Sequence, residues 1–519
     1  MKRIIYSIIT LCLLSLALIS INNSSEEFYN NITLYLEYLL STPVSFLGFL
    51  FLGGEYEIFG ETRSITIFGL PILVAWLIAG SIFFTIKLRF VNIRLFSHAI
   101  EIVRGRYEEK DAPGKISQLQ ALFAAIAATV GLGNIAGVAI AISIGGPGAV
   151  IWMMIAAFFA MSLKCAEVIL GQKYRKFTKD GNILAGSFYY LAEGLKEKNM
   201  PKLGKILGII AAILCISGAI GGGIMFQANQ SISIISSSLN LEGSAKFILI
   251  ILITALIGMV LIGGIVRISK ITEKIVPFMS IVYVISCIII LIINSDKLLS
   301  AISFMLHSAF QNNAIYGGII GAIIQGIKRS AFSNEAGFGS APIAHAAART
   351  TEPAREGIIA LLEPFIDTVI ICFMTGIVIV VTGAYQNTDI NDGILITRDA
   401  FATVSTWFPY VLSLMVFLFA FSTMLTYSYY GQQAWLYLTK GKGIRACHVM
   451  FMIFVFIGGV VKLGIVIDFA DILFLSMAVP NLFGMYILGN VIKNEIDSYV
   501  SRLKEGKFEA LRKKNMNEK

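Results

Sequence analysis

Apolar runs long enough to cross a bilayer recur along the whole chain, at about 65–86, 119–144, 148–170, 206–235, 247–265, 275–293, 316–345, 357–383, 408–436, 446–464 and 469–491. A membrane helix needs about 20 predominantly apolar residues to cover the hydrocarbon thickness. None of the runs shows the ten-residue alternation of a transmembrane β-barrel, so the spans read as helices and the chain as an all-α polytopic membrane protein. The charged share, 14%, agrees, since soluble domains carry about 25%.

A net charge of +9 invites a nucleic-acid partner, but the basic residues do not cluster on one face. They fall in alternate connections between spans. Of the 41 Lys and Arg, 31 sort to the side of the first basic loop (87–115) and only Arg63, Lys246, Lys297 and Arg398 to the other. That asymmetry is the positive-inside pattern, which places the basic loop and the tail after residue 491 in the cytoplasm of a cell-membrane protein and leaves no nucleic-acid footprint. Residues 1–64 read as a signal peptide or uncleaved anchor (Met1 to Ser20) with an external segment. Residues 65–115 hold one extra span and the basic loop. The ten spans that follow divide five and five, 116–293 and 294–491, ahead of a basic tail at 492–519. An odd number of spans per half inverts the second half relative to the first. The six cysteines are scattered through apolar spans without a CxxC pair, and the four histidines form no ligand cluster, so the sequence offers no cofactor site and no enzyme nucleophile.

Two interruptions stand out, and each opens the first span of its half. Val130-Gly-Leu-Gly-Asn134 puts two glycines and an asparagine in the middle of one span. Ala331-Phe-Ser-Asn-Glu-Ala-Gly-Phe-Gly-Ser340 does the same in the other. Inside lipid an unwound backbone survives only where it lines a cavity or binds something, because each unsatisfied amide or carbonyl costs several kcal/mol. Glycines here could equally serve close helix packing. The matching position of the second break favours a binding site with half-helix ends exposed.

The strings Ala127-Ala-Thr-Val-Gly-Leu-Gly-Asn-Ile-Ala-Gly-Val138, Gly145-Gly-Pro-Gly-Ala149 and Arg329-Ser-Ala-Phe-Ser-Asn-Glu-Ala-Gly-Phe-Gly-Ser-Ala-Pro-Ile-Ala-His345 resemble the alanine/glycine:cation symporter family, supported by Phe226-Gln-Ala-Asn229, Glu363-Pro-Phe-Ile-Asp-Thr368 and Ser428-Tyr-Tyr-Gly431. The resemblance covers about residues 70–490. It implies a LeuT-like 5+5 inverted-repeat fold and sodium-coupled uptake of small neutral amino acids, with a proton-coupled carrier of the same fold as the alternative. The chain departs from the family pattern in its longer amino-terminal region, in Ile224 where Asn is common and in Tyr427 where Trp is frequent.

The same resemblance implies a set of site residues. The substrate carboxylate would meet the backbone at Gly131 and Gly133, with Phe332 as a cap and Phe226, Gln230, Thr423 and Tyr427 lining the cavity; Gln227, on another face, would only support packing. One sodium would take the Thr129 carbonyl, Asn134, Ser333 and the substrate carboxylate. A second would take the Ala127 and Val130 carbonyls with the Ser422 and Thr423 hydroxyls, although hydroxyls in membrane helices commonly bond back to the preceding turn. Intramembrane acids are costly and therefore functional candidates. Glu335, in the second break, would pair with Lys328 or Arg329 or accept from exposed amides, and is a further candidate for ion or proton coupling. Glu363 and Asp367 would serve ion or proton coupling, or else a polar network with Arg349 or Arg355. Glu167 and Lys164, three apart on one helix, read as a structural pair.

Overall fold

The computed structural model describes residues 70–517 except 179–180, 182, 261–263, 312–317 and 387–392, together with short pieces between 32 and 67. The expected signal or anchor segment, Met1 to Ser20, lies outside the described residues. The labelled helices run α1 (Ile72–Lys87), α2 (Gln118–Thr129), α3 (Ala136–Gly145), α4 (Ala149–Lys173), α5 (Pro201–Ile220), α6 (Phe226–Ser238), α7 (Gly243–Val260), α8 (Gly264–Ile293), α9 (Leu298–Phe310), α10 (Gly318–Asn334), α11 (Ala341–His345), α12 (Pro353–Ile359), α13 (Phe373–Thr382), α14 (Phe408–Thr439), α15 (Ile444–Val460), α16 (Leu463–Ser476), α17 (Ala478–Lys504) and α18 (Glu509–Asn517). Among the described residues, six helical runs are long and apolar enough to cross a membrane alone, and α2 with α3 makes a seventh as a bent pair. The other four expected spans fall on the shorter helices α1, α7 and α15 and on the interrupted pair α10–α11.

Local chemistry sets several of these limits. Ser117 caps α2 by accepting from the Gln120 amide while the Gln120 side chain accepts from the Ser117 N–H, a reciprocal capping box. Pro201 opens α5 at the first helical position, where its missing N–H costs nothing. A π-helical turn, Gly221–Met225, joins α5 to α6, and another, Phe365–Cys372, precedes α13. Both sit beside the breaks, as such bulges often do at functional positions.

The two broken helices form the centre. α2 packs on α8 and α14, α3 and α4 pack on α10, and α11 lies between α2 and α4. The extra helix α1 leans on α4 and α17.

Three boundaries differ from the sequence reading. The first span begins at Ile72, because Thr66–Ile67 and Leu70–Pro71 pair as a small hairpin ahead of it. The last expected span, 469–491, straddles a junction at Met477 between α16 and α17. The tail is not a loose extension from residue 492. α17 continues to Lys504 because Ile492, Ile496 and Tyr499 recur at helical spacing and are buried. Arg502 then makes a two-pronged pair with Glu352 at 2.5 and 2.7 Å, and Arg512 of α18 reaches Glu101 at 3.1 Å. Helix α9 was not expected either; its apolar residues read as loop because they are too few to span.

Candidate functional site: two breaks served by different side chains

At the first break, α2 ends at Thr129 and the axis turns by 60° before α3. The freed backbone groups are met almost entirely by neutral side chains. Asn134 Oδ1 accepts the Gly131 N–H at 3.0 Å, and Gln227 Oε1 accepts the Leu132 N–H at 3.0 Å. The Thr423 hydroxyl donates to the Ala127 carbonyl at 3.0 Å, and Thr375 donates to the Asn134 carbonyl at 2.8 Å. A Cβ at Gly131 would lie 2.6 Å from Thr423 Oγ1, and one at Gly133 3.1 Å from the Phe332 ring. Glycine is therefore required at 131 for α14 to come this close.

At the second break the partners carry charge. α10 ends at Asn334, Glu335 takes a left-handed conformation at φ 57°, and Gly337 and Gly339 follow at φ 94° and 73°. One helix serves both ends of this gap. Lys164 donates to the Asn334 carbonyl at 2.8 Å, and Glu167 Oε1 accepts the Gly339 N–H at 2.8 Å. A cation thus sits at the carbonyl end of α10 and an anion at the amide end of α11, each matching the partial charge of the half-helix it meets. Asn481 reinforces the anion end, donating to Glu167 at 2.5 Å and to the Gly337 carbonyl at 2.8 Å. Glu335 accepts from the Ser340 hydroxyl at 2.8 Å. Beyond Lys164 the charge continues: Glu363 lies 3.3 Å from its ammonium, His345 lies 2.6 Å from Glu363 and 2.7 Å from Glu356, and all of these are fully buried.

Asp367 joins the two breaks. Its main-chain carbonyl accepts from Asn134 Nδ2 at 3.0 Å, while its carboxylate Oδ1 accepts from the Ser333 and Thr368 hydroxyls. Its other oxygen, Oδ2, is buried with no hydrogen-bond donor. A buried carboxylate oxygen without a donor is costly, and hard oxygen donors around it suit a small hard cation.

The sequence-expected residues divide accordingly. Thr129, Val130, Gly131, Gly133, Asn134, Ser333, Thr423 and Asp367 converge on the first break and the space beside it. Phe332 lies over Gly133 and packs edge-on to Phe226, ring centres 5.0 Å apart. Tyr427 is buried one turn along α14 from Thr423, its ring against Gly223 and Phe474 and its hydroxyl toward Glu335. Ser422 turns away: its hydroxyl donates to the Phe419 carbonyl at 3.0 Å, the ordinary fate of a serine in a membrane helix.

Four pairings differ from the sequence reading. Gln227, not Gln230, reaches the first break; Gln230 accepts the Ile394 N–H at 2.9 Å. The Gln227 amide also donates to the Gly222 carbonyl of the π-helical turn before α6 at 3.1 Å, which fixes its side chain toward the break. Glu335 does not meet Lys328 or Arg329, which both bind Asp471. Glu363 meets Lys164 and His345, while Arg355 and Arg349 pair with Glu109 and Glu108. Lys164 and Glu167 act on separate ends of the second break and not on each other as a local pair. Missed altogether as break residues were Gln227, Lys164, Glu167, His345 and Asn481; a buried charge in an apolar run was the available signal for Lys164 and Glu167.

The Sodium:alanine symporter family matches residues 56–513. The chain belongs to that family. The sodium/alanine symporter AgcS of Methanococcus maripaludis is 37% identical over 432 residues, covering 83% of this chain and 94% of the relative. The probable sodium/glutamine symporter GlnT of Bacillus subtilis is 31% identical over 440 residues, covering 84% and 89%. Among solved structures, MhsT in complex with L-phenylalanine matches at a TM-score of 0.53 with 14% identity, covering 74% of this chain and 92% of that one. MhsT has the LeuT fold, and the likeness gives this chain the same architecture. The protein is a multi-pass membrane symporter and not an enzyme, with sodium as the coupling ion of its family.

Proposed function

We propose that the protein imports small neutral amino acids, alanine and glycine, with sodium by alternating access around the two breaks. The observation that carries this reading is Asp367, whose main-chain carbonyl accepts from Asn134 while its carboxylate accepts from the Ser333 and Thr368 hydroxyls with one oxygen left over. In this reading one sodium sits at that oxygen with the Thr129 carbonyl, the Asn134 and Ser333 side chains and the substrate carboxylate. The second sodium takes the Ala127 and Val130 carbonyls and the Thr423 hydroxyl, and Ser422 contributes only by releasing the Phe419 carbonyl. The amides at Gly131 and Gly133 receive the amino acid's carboxylate at the positive end of α3. Phe332, Phe226 and Tyr427 confine its side chain, which leaves room for a methyl group and excludes leucine, and Gln227 takes the lining role expected of Gln230. The basic loop and the tail face the cytoplasm of the cell membrane.

The test is uptake of labelled alanine into proteoliposomes under an imposed sodium gradient or an imposed pH gradient. Sodium-driven accumulation, blocked by glycine and alanine but not by leucine, is expected; uptake indifferent to sodium would sink the proposal. The second reading, a proton-coupled carrier, rests on the buried Lys164, Glu363, His345 and Glu356 chain, in which Glu363 or Asp367 would exchange the proton. Uptake driven by the pH gradient alone selects it.

A further inference from the structure

Behind the second break, on the side away from the first, α1 leaves a gap as it crosses α4 and α10. The gap is a cavity of about 170 Å³. Its floor is Leu77, Ile327 and the break residues Ser330 and Asn334, all buried; its rim is Ile78 and Phe159, both half-buried, with Ile82 exposed.

We propose that this cavity is a binding site for the acyl chain of a bilayer lipid, seated against the back of the second break. Three observations lead there. The polar side chains on the floor ask for nothing: Asn334 Nδ2 donates to Ser330 Oγ at 3.1 Å, Asn334 Oδ1 accepts the Ala336 N–H at 3.0 Å, and the Asn334 carbonyl is taken by Lys164. Water needs two to four polar partners to occupy a cavity, and beyond these satisfied groups and the Trp152 N–H the lining offers only the Ser81 hydroxyl; an apolar cavity of about 150 Å³ is known to take a benzene-sized guest. A terminal segment of about six carbons therefore fills it.

The mouth sets the occupant. Ile82 continues directly into Phe83 and Ile86, exposed on the same membrane-spanning helix. This is the lipid-facing belt of α1, so the cavity is continuous with the hydrocarbon surrounding the bundle and not with an aqueous vestibule. The chain that enters lies against Asn334 and Ala336. It props α10 away from α4 at the point where Lys164 reaches across to the Asn334 carbonyl.

Trp152 lines the cavity and is fixed by its indole N–H donating to the Ala309 carbonyl at 2.9 Å. This permits a direct test. The full chain is made with Trp76, Trp407 and Trp435 changed to Phe, so that Trp152 alone fluoresces, and reconstituted in phosphatidylcholine vesicles with plain or dibrominated acyl chains. Brominated chains should quench Trp152, and Ala156→Phe, which fills the cavity, should cut that quenching at least about twofold. Ser81→Leu fills it from α1 and gives the same readout should Ala156→Phe fail to insert. Equal quenching in filled and unfilled proteins would mean that Trp152 senses only the surrounding lipid and would overturn the proposal. Quenching of the unfilled protein by free bromohexane but not by brominated lipid would overturn it too, by assigning the cavity to a small apolar solute.

Discussion

The two breaks are alike in sequence placement and opposite in how their backbone is held. At the first, neutral amide and hydroxyl side chains of Asn134 in the break and of α6, α13 and α14 meet the loose groups. At the second, Lys164 and Glu167 on α4 hold both ends with full charges in a dry interior. Hydrogen bonds to charged groups contribute about 1.5–3 kcal/mol where neutral ones contribute about 0.5–1.5. In the proposed cycle the first break is the one whose bonds exchange with a carboxylate and a cation. The second is held at both ends by α4.

Removing the clamp should have the largest effect. Lys164→Met leaves Glu363 and the Asn334 carbonyl without their buried cation, which should destabilise the protein by about 3–5 kcal/mol. A thermal unfolding scan in detergent checks it, and an unchanged midpoint would show that the second break does not depend on charge. Asn134→Ala comes next: coupled uptake should be lost while expression stays near normal and the melting midpoint falls less than that of Lys164→Met, since the residue serves neutral bonds at the first break. Sodium-gradient uptake beside a melting curve separates the two outcomes, and a protein that melts as early as Lys164→Met would erase the distinction between the breaks.

Gln227→Ala and Gln230→Ala form a smaller, paired test. The first leaves the Leu132 N–H unmet, a penalty of about 1–3 kcal/mol, which should raise the apparent KM for alanine roughly tenfold or more. The second should change it less than about threefold, because Gln230 bonds to Ile394 and Asn229 and not to the break. Reversed sensitivities would return the lining role to Gln230. Smallest is Tyr427→Trp, expected to shift preference toward glycine by about tenfold, the scale on which a pocket resolves one methylene. Competition of labelled alanine uptake by glycine and serine measures it, and gain of a larger substrate would remove Tyr427 from the wall.

The sequence by itself determined the class of fold and the placement of both breaks. A bilayer forces every backbone group to be satisfied within its own segment, so spans and their interruptions are written locally in runs of apolar residues and glycines. Asn134 was legible for the same reason, since its side chain closes onto Gly131 three residues away. What serves each break was decided only by the tertiary structure. Gln227 meets Leu132 across 95 residues, Lys164 meets Asn334 across 170 and Asn134 meets Asp367 across 233. Helical periodicity can say which residues share a face, but not which face meets which neighbour. Lys164 and Glu167 show the limit clearly: three apart on one helix they satisfy the rule for a local ion pair, and only the arrival of the second break between α4 and its neighbours sends them to opposite ends of it.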